Sequence, residues 1–99
     1  MVDSRQILMY LSSNKDRFHK DYHIIRIGIF GSVARGDQKD NSDIDLVVEF
    51  EENTPDLFSI KQQLRKEIQS RFNVPVDLCR EKYIKPIFKD LILSEVQYA

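Results

Sequence analysis

The segment "DIDLVVEF", Asp43 to Phe50, constrains this chain more than any other. Its apolar and β-branched residues predict a strand, in which alternate side chains face the same way. Ile44, Leu46 and Val48 then form one apolar face, and Asp43, Asp45 and Val47 share the other. Aspartate is poorly suited to strands. A sheet built on this segment must therefore bury one face and leave the other open where the strand begins. Two carboxylates one residue apart repel each other unless a cation lies between them or one takes a proton. A divalent cation is the natural answer, and carboxylate oxygens suit Mg²⁺ or Mn²⁺.

The rest of the chain supplies partners for that strand. Asp3 or Ser4 can cap a first helix running to about Lys20, with Ile7, Leu8, Leu11 and Phe18 along one side. "HIIRIGIF", His23 to Phe30, predicts a strand that Gly31 stops. "SVARG" predicts a short helical piece closed by Gly36, and "DQKDNS" a polar loop. Thr54 can cap a further helix, with Pro55 at its first position and Leu57, Ile60, Leu64, Ile68 and Phe72 on one face; Asn73 ends it. "VPVDLC" predicts a third, short strand, and Pro75 near its start suggests an edge position or a late entry into the ladder. A last helix, about Tyr83 to Val96, carries Ile84, Ile87, Phe88, Leu91 and Ile92. The order α-β-α-β-α-β-α predicts an α/β (α+β) fold with helices packed on a small mixed β-sheet.

Two further features converge on the paired aspartates. Asp77 also sits between apolar residues, Val76 and Leu78, and can reach the same site from a neighbouring strand. Gly31 and Ser32 stand where a strand meets a short helix. Glycine there lets backbone come close to a ligand, and the free N–H groups of a helix start suit phosphate. A carboxylate metal site beside phosphate donors fits phosphoryl or nucleotidyl transfer from a Mg²⁺-nucleoside triphosphate. Two ions about 3.5–4 Å apart would activate the attacking oxygen and stabilise the leaving pyrophosphate. All three aspartates would hold the first ion, and Asp43 and Asp45 the second. Taken singly, these residues have plainer roles. Asp43 after Ser42 can be a turn residue, Asp77 a solvated edge aspartate, and Ser32 a helix cap.

The stretch "FGSVARGDQKDNSDIDLVVEF" resembles the signature of the DNA-polymerase-β-like nucleotidyltransferase superfamily: Gly-Ser, a spacer of about ten residues, then Asp-apolar-Asp. Its "GSxARG…SDIDL" form and the chain's length are similar to the minimal nucleotidyltransferases, the MNT antitoxins. The tight match covers about Ile29 to Phe50, and a looser one covers almost the whole chain. The resemblance implies a Mg²⁺-dependent transfer of AMP from ATP to a tyrosine of a HEPN-domain toxin, which is thereby silenced. It assigns the triphosphate to Gly31 and Ser32, metal to Asp43 and Asp45, and the third carboxylate, which helps deprotonate the acceptor, to Asp77. Arg35 matches the "ARG" arginine, which either neutralises phosphate or pairs with a nearby carboxylate. Two other functions fit the same resemblance: a non-catalytic partner that sequesters a HEPN protein, or a small-molecule nucleotidyltransferase. Little lies beyond the catalytic core to form a deep small-molecule pocket, which favours a macromolecular acceptor.

Composition narrows the setting. The 99 residues are expected to form one domain, 1–99. The net charge of −1 gives no electrostatic case for nucleic acid or an anionic membrane as the main partner. No apolar run reaches a membrane span, and the first residues lack a signal-peptide layout. The single cysteine, Cys79, excludes an internal disulfide and fits a cytoplasmic setting as a half-buried, inert thiol. His19 and His23 have helical i, i+4 spacing but are expected on the surface. Arg80, Lys82 and Lys85 form a basic cluster that either helps hold triphosphate, meets a partner or is merely solvated. Nothing singles out one of Tyr10, Tyr22, Tyr83 and Tyr98 for modification. A chain this small suits assembly with a partner or with itself. Its first and last helices, whose apolar residues exceed one narrow stripe, are the expected interface.

Overall fold

The computed structural model describes residues 3–37 and 43–99. Its helices are α1 (Ser4–Ser13), α2 (Lys15–Tyr22), α3 (Gly31–Arg35), α4 (Leu57–Phe72) and α5 (Pro86–Glu95). Its strands are β1 (Ile24–Phe30), β2 (Ile44–Phe50), β3 (Val76–Arg80) and β4 (Gln97–Tyr98), and a 3₁₀ turn spans Glu81–Tyr83. The sheet order is β3-β2-β1-β4, with β2 and β3 parallel and the other pairs antiparallel. The expected mixed sheet with packed helices is what forms, and β3 does lie at an edge.

One face of the sheet carries the core. Ile44, Leu46 and Val48 of β2 are fully buried, together with Ile29 of β1. Ile7, Leu11 and Phe18 of α1 and α2, and Leu64 and Ile68 of α4, close over them with no exposed area. These are the positions that the helical and strand periodicities predict.

Several boundaries differ from expectation. The first helix breaks at Asn14, whose amide Nδ2 donates to the Tyr10 carbonyl at 2.9 Å and competes with the helical ladder. Of the two expected caps, Asp3 is the N-cap, in a reciprocal capping box with Gln6. Thr54 does not cap α4. Its hydroxyl donates to the Glu51 carbonyl at 2.6 Å inside the turn, and the helix starts two residues beyond Pro55. Asn73 ends α4 in the left-handed conformation, as expected. The last helix starts at Pro86, not Tyr83, because proline's fixed φ and missing N–H suit a helix's first turn. β4 was not expected. It fits against β1 because Gly28 has no side chain: a Cβ there would lie 2.7 Å from the Gln97 carbonyl oxygen. Of the five apolar residues named for the last helix, Ile84 is buried just before it, Ile92 is half-buried, and Ile87, Phe88 and Leu91 are exposed. The polar loop expected at 37–42 falls, beyond Asp37, outside the described residues.

Candidate active site

β2 sits between β1 and β3, so its first residues are framed on both sides. Asp45 pairs with Asp77 across the parallel β2–β3 ladder and with Phe30 across the antiparallel β1–β2 ladder. Paired residues on neighbouring strands present side chains to the same face, with strands about 4.8 Å apart. Asp43, one residue before β2, is exposed, Asp45 half-buried and Asp77 exposed. The three aspartates expected at one site therefore do gather at one end of the sheet.

Their electrostatics are unfavourable in isolation. Burial raises the Asp45 carboxyl above its ordinary pKa, and the charges of Asp77 and Asp43 push the same way. Arg35 opposes this from α3. Among the described residues, no three His, Cys, Asp or Glu side chains are drawn together into a ready-made metal cluster. The donor set is all oxygen, which fits a hard divalent cation and not a thiophilic one.

Phe30 leads directly into Gly31, which carries φ +75° and opens α3. A Cβ at Gly31 would overlap the Asp45 Oδ2 atom and lie 3.2 Å from its Cγ. Glycine is thus required twice, for the left-handed backbone and for the close approach of that carboxylate. Ser32 follows, half-buried, in the first turn of a helix whose N-cap, Phe30, offers no side-chain acceptor. The first N–H groups of α3 are therefore left without intrahelical partners beside Asp45.

Arg35 at the other end of α3 is satisfied by carboxylates of its own chain. Its Nε donates to Asp37 at 3.2 Å and its Nη1 to Glu95 of α5 at 3.1 Å. Of the basic cluster, Arg80 is occupied at the far end of the sheet. Its Nη2 lies 2.6 Å from Oε1 of Glu49, a nearly buried acid that also accepts the Lys82 backbone N–H. Sequence reasoning missed this pair, although Glu49 continues the alternation of Asp43, Asp45 and Val47 and so shares the face of the site.

The remaining candidates take plain roles. Cys79 is half-buried, and burial together with the nearby Asp77 charge raises its thiol pKa, which keeps it unreactive. His19 and His23 are exposed, and both approach Glu51, at 2.9 and 3.8 Å. Tyr10 and Tyr22 donate to Glu67, and Tyr98 donates to Glu81. A groove of about 520 Å³ runs along Gln6, Met9, Tyr10, Ser13, Arg71 and Phe72, none of them a site carboxylate. Among the described residues, no helix is long and apolar enough to cross a membrane.

The chain belongs to the nucleotidyltransferase domain family, whose sequence profile matches residues 11–99. It is an enzyme of the nucleotidyltransferase class. The protein adenylyltransferase MntA of Thermococcus cleftensis is 31% identical over 98 residues, covering 99% of this chain and 97% of that protein. A solved structure assigned as a minimal nucleotidyltransferase superposes with a TM-score of 0.79 at 26% identity, covering 97% of this chain and 95% of that one. A toxin–antitoxin crystal structure with AMP-PNP shares the fold, with a TM-score of 0.66 at 20% identity over 87% of this chain and 69% of that one.

Proposed function

We propose that this nucleotidyltransferase moves AMP from Mg²⁺-bound ATP to a tyrosine hydroxyl of a HEPN-type toxin, and so acts as the antitoxin of a toxin–antitoxin pair. The observation that carries the reading is the side-by-side placement of Asp45 and Asp77, flanked by Asp43 and backed by Gly31. The adenylyltransferase relative and the fold shared with a nucleotide-bound toxin–antitoxin structure support the choice of nucleotide and acceptor.

In this mechanism Gly31 and Ser32 hold the triphosphate with backbone N–H groups and the serine hydroxyl. Asp43 and Asp45, at the start of β2, and Asp77 of β3 are the residues that would hold Mg²⁺. Bound metal supplies charge neutralisation for the triphosphate and acidifies the acceptor hydroxyl. Asp77 is open to solvent and to an incoming acceptor. Its carboxylate takes the acceptor's proton as the hydroxyl oxygen bonds to the α-phosphorus. The bridging bond to the β-phosphate breaks, and pyrophosphate leaves with that electron pair. Arg35 keeps its own-chain partners and adds positive charge near Asp45.

The test incubates purified protein, MgCl₂ and α-³²P-ATP with the purified product of the neighbouring gene. The expected result is label on that protein, lost in Asp43→Asn. Tight complex formation without label from any of the four nucleotides would sink the enzymatic reading and favour sequestration by binding.

A further inference from the structure

We infer that the exposed face of α5 is the docking surface for the acceptor protein, which presents to it an apolar groove rimmed by acidic residues. This rests on protein adenylylation being the reaction, and it names where that acceptor binds.

No residue of α5 is fully buried: Ile92, Leu93 and Glu95 are half-buried against their own chain, and Pro86 to Leu91 are exposed. Ile87 is 83% exposed, Leu91 62% and Phe88 50%. Ile87 and Leu91 are one turn apart, with Phe88 beside them, so they form one continuous stripe. The half-buried Ile92 and Leu93 face the chain, and polar contacts fix the helix's end: Glu95 meets Arg35 at 3.1 Å, and two residues on, Gln97 donates to the Ala34 carbonyl at 2.8 Å. Both anchors are on α3, the helix that Gly31 and Ser32 open. Leu91 lies one turn, about 6 Å along the helix axis, from Glu95. A protein seated on the stripe therefore lies next to the end of α3, the helix whose start is assigned to the triphosphate.

Charge decides which kind of protein fits. Lys82, Lys85 and Lys89 surround the start of α5, and none forms an ion pair among the described residues. Asp90 is the one exposed acid on the helix. A partner with acidic residues around an apolar groove meets both the lysines and the stripe.

The experiment compares wild type with Ile87→Asp/Leu91→Asp and with Lys82→Glu/Lys85→Glu, using the neighbouring gene's product as acceptor. Because these side chains are already solvated, both variants should melt with the wild type and bind Mg²⁺-AMP-PNP equally well. The expected result is a rise of tenfold or more in KM for the acceptor, with kcat and KM for ATP within about twofold. An unchanged acceptor KM overturns the docking surface while leaving adenylylation intact. Label absent from the wild type overturns the reaction; sedimentation then decides the surface separately. A complex lost in the variants upholds it, and no complex, or one unaffected by them, overturns it. A wild-type dimer that the variants split, with acceptor KM unchanged, assigns the stripe to a second copy instead.

Discussion

Asp45 and Glu49 lie four residues apart on the same strand and face the same way, yet the chain treats them oppositely. Glu49 is 8% exposed and is met by the Arg80 guanidinium and a backbone N–H. Asp45 is about half-buried, and its near neighbours include two further carboxylates. Like charges beside a half-buried carboxylate raise its pKa and cost folding free energy. The far end of β2 is thus built for stability. The near end gives up stability to hold a negative field that a bound cation would relieve.

The largest expected effect breaks the near end. Asp45→Asn should lower nucleotidyl transfer by at least about 10³-fold, on the order of 4 kcal/mol in the barrier. Labelling rates under saturating ATP check this. Stability should move the other way. A carboxyl whose pKa is raised by folding contributes most below its unfolded value, and that contribution fades as pH rises through the folded value. At pH 7, above the ordinary value, Asp45 therefore destabilises the fold. The metal-free variant should melt at or above the wild-type temperature there, with the gain gone below the ordinary value of 3.8. A variant that melts lower at pH 7 would contradict the contrast between the two ends.

Breaking the far end should do the reverse. Arg80→Ala strands Glu49 as a nearly buried, unpaired charge, at a cost of about 3–5 kcal/mol. Urea unfolding measures that loss. Transfer by the folded fraction should stay within about twofold, because Arg80 serves the far end of the strand.

How much of this contrast can be read from sequence depends on range. The face alternation of β2 follows from period two alone, and so does the shared side of Asp43 and Asp45. The Gly31 approach is anticipated in kind, since a glycine between a strand and a helix admits close contacts. That the contact is the Asp45 carboxylate is a matter of register between β1 and β2. The Glu49–Arg80 pair spans 31 residues and depends on the parallel register of β2 and β3, which no local pattern specifies. β4 is two residues long, below the length at which alternation is detectable. The exposed stripe on α5 has the spacing of a buried one. Periodicity identifies an apolar face but not what covers it.

Glu67 extends the stability side of the comparison to the helices. It accepts from Tyr10 at 2.5 Å, from Tyr22 at 2.9 Å and from Arg17, and so ties α1 and α2 to α4. Burial alone would raise its pKa, but the hydrogen bonds from Arg17, Tyr10 and Tyr22 outweigh it and hold the carboxyl below its ordinary value of 4.5. A depressed carboxylate contributes stability above its unfolded pKa and loses it as pH falls through the folded one. Glu67→Gln should therefore cost about 1–3 kcal/mol at pH 7 and progressively less below pH 4.5. Tyr10 supplies the alkaline limb. Burial, then Glu67, pushes its hydroxyl up to about 12, so stability should fall between its ordinary 10.0 and that value. Melts of wild type and Glu67→Gln across pH 3 to 12, roughly the range of these shifts, should differ on both limbs.

The smallest effect tests the residue that stands between the two ends in kind. Arg35 is paired like Glu49's arginine, yet it adds positive charge near Asp45. Its side chain is 48% exposed, so solvent screens its ion pair with Glu95 and the pair adds little to stability. Glu95→Gln should leave both melting and KM for ATP nearly unchanged. Arg35→Ala removes the pair and the charge together. If Arg35 only anchors α5, the two variants should match each other in KM for ATP. If its charge reaches the triphosphate, Arg35→Ala alone should raise that KM, by about three- to tenfold for one solvated contact. The difference between the variants isolates the charge from the anchor, because both lose the same contact with α5.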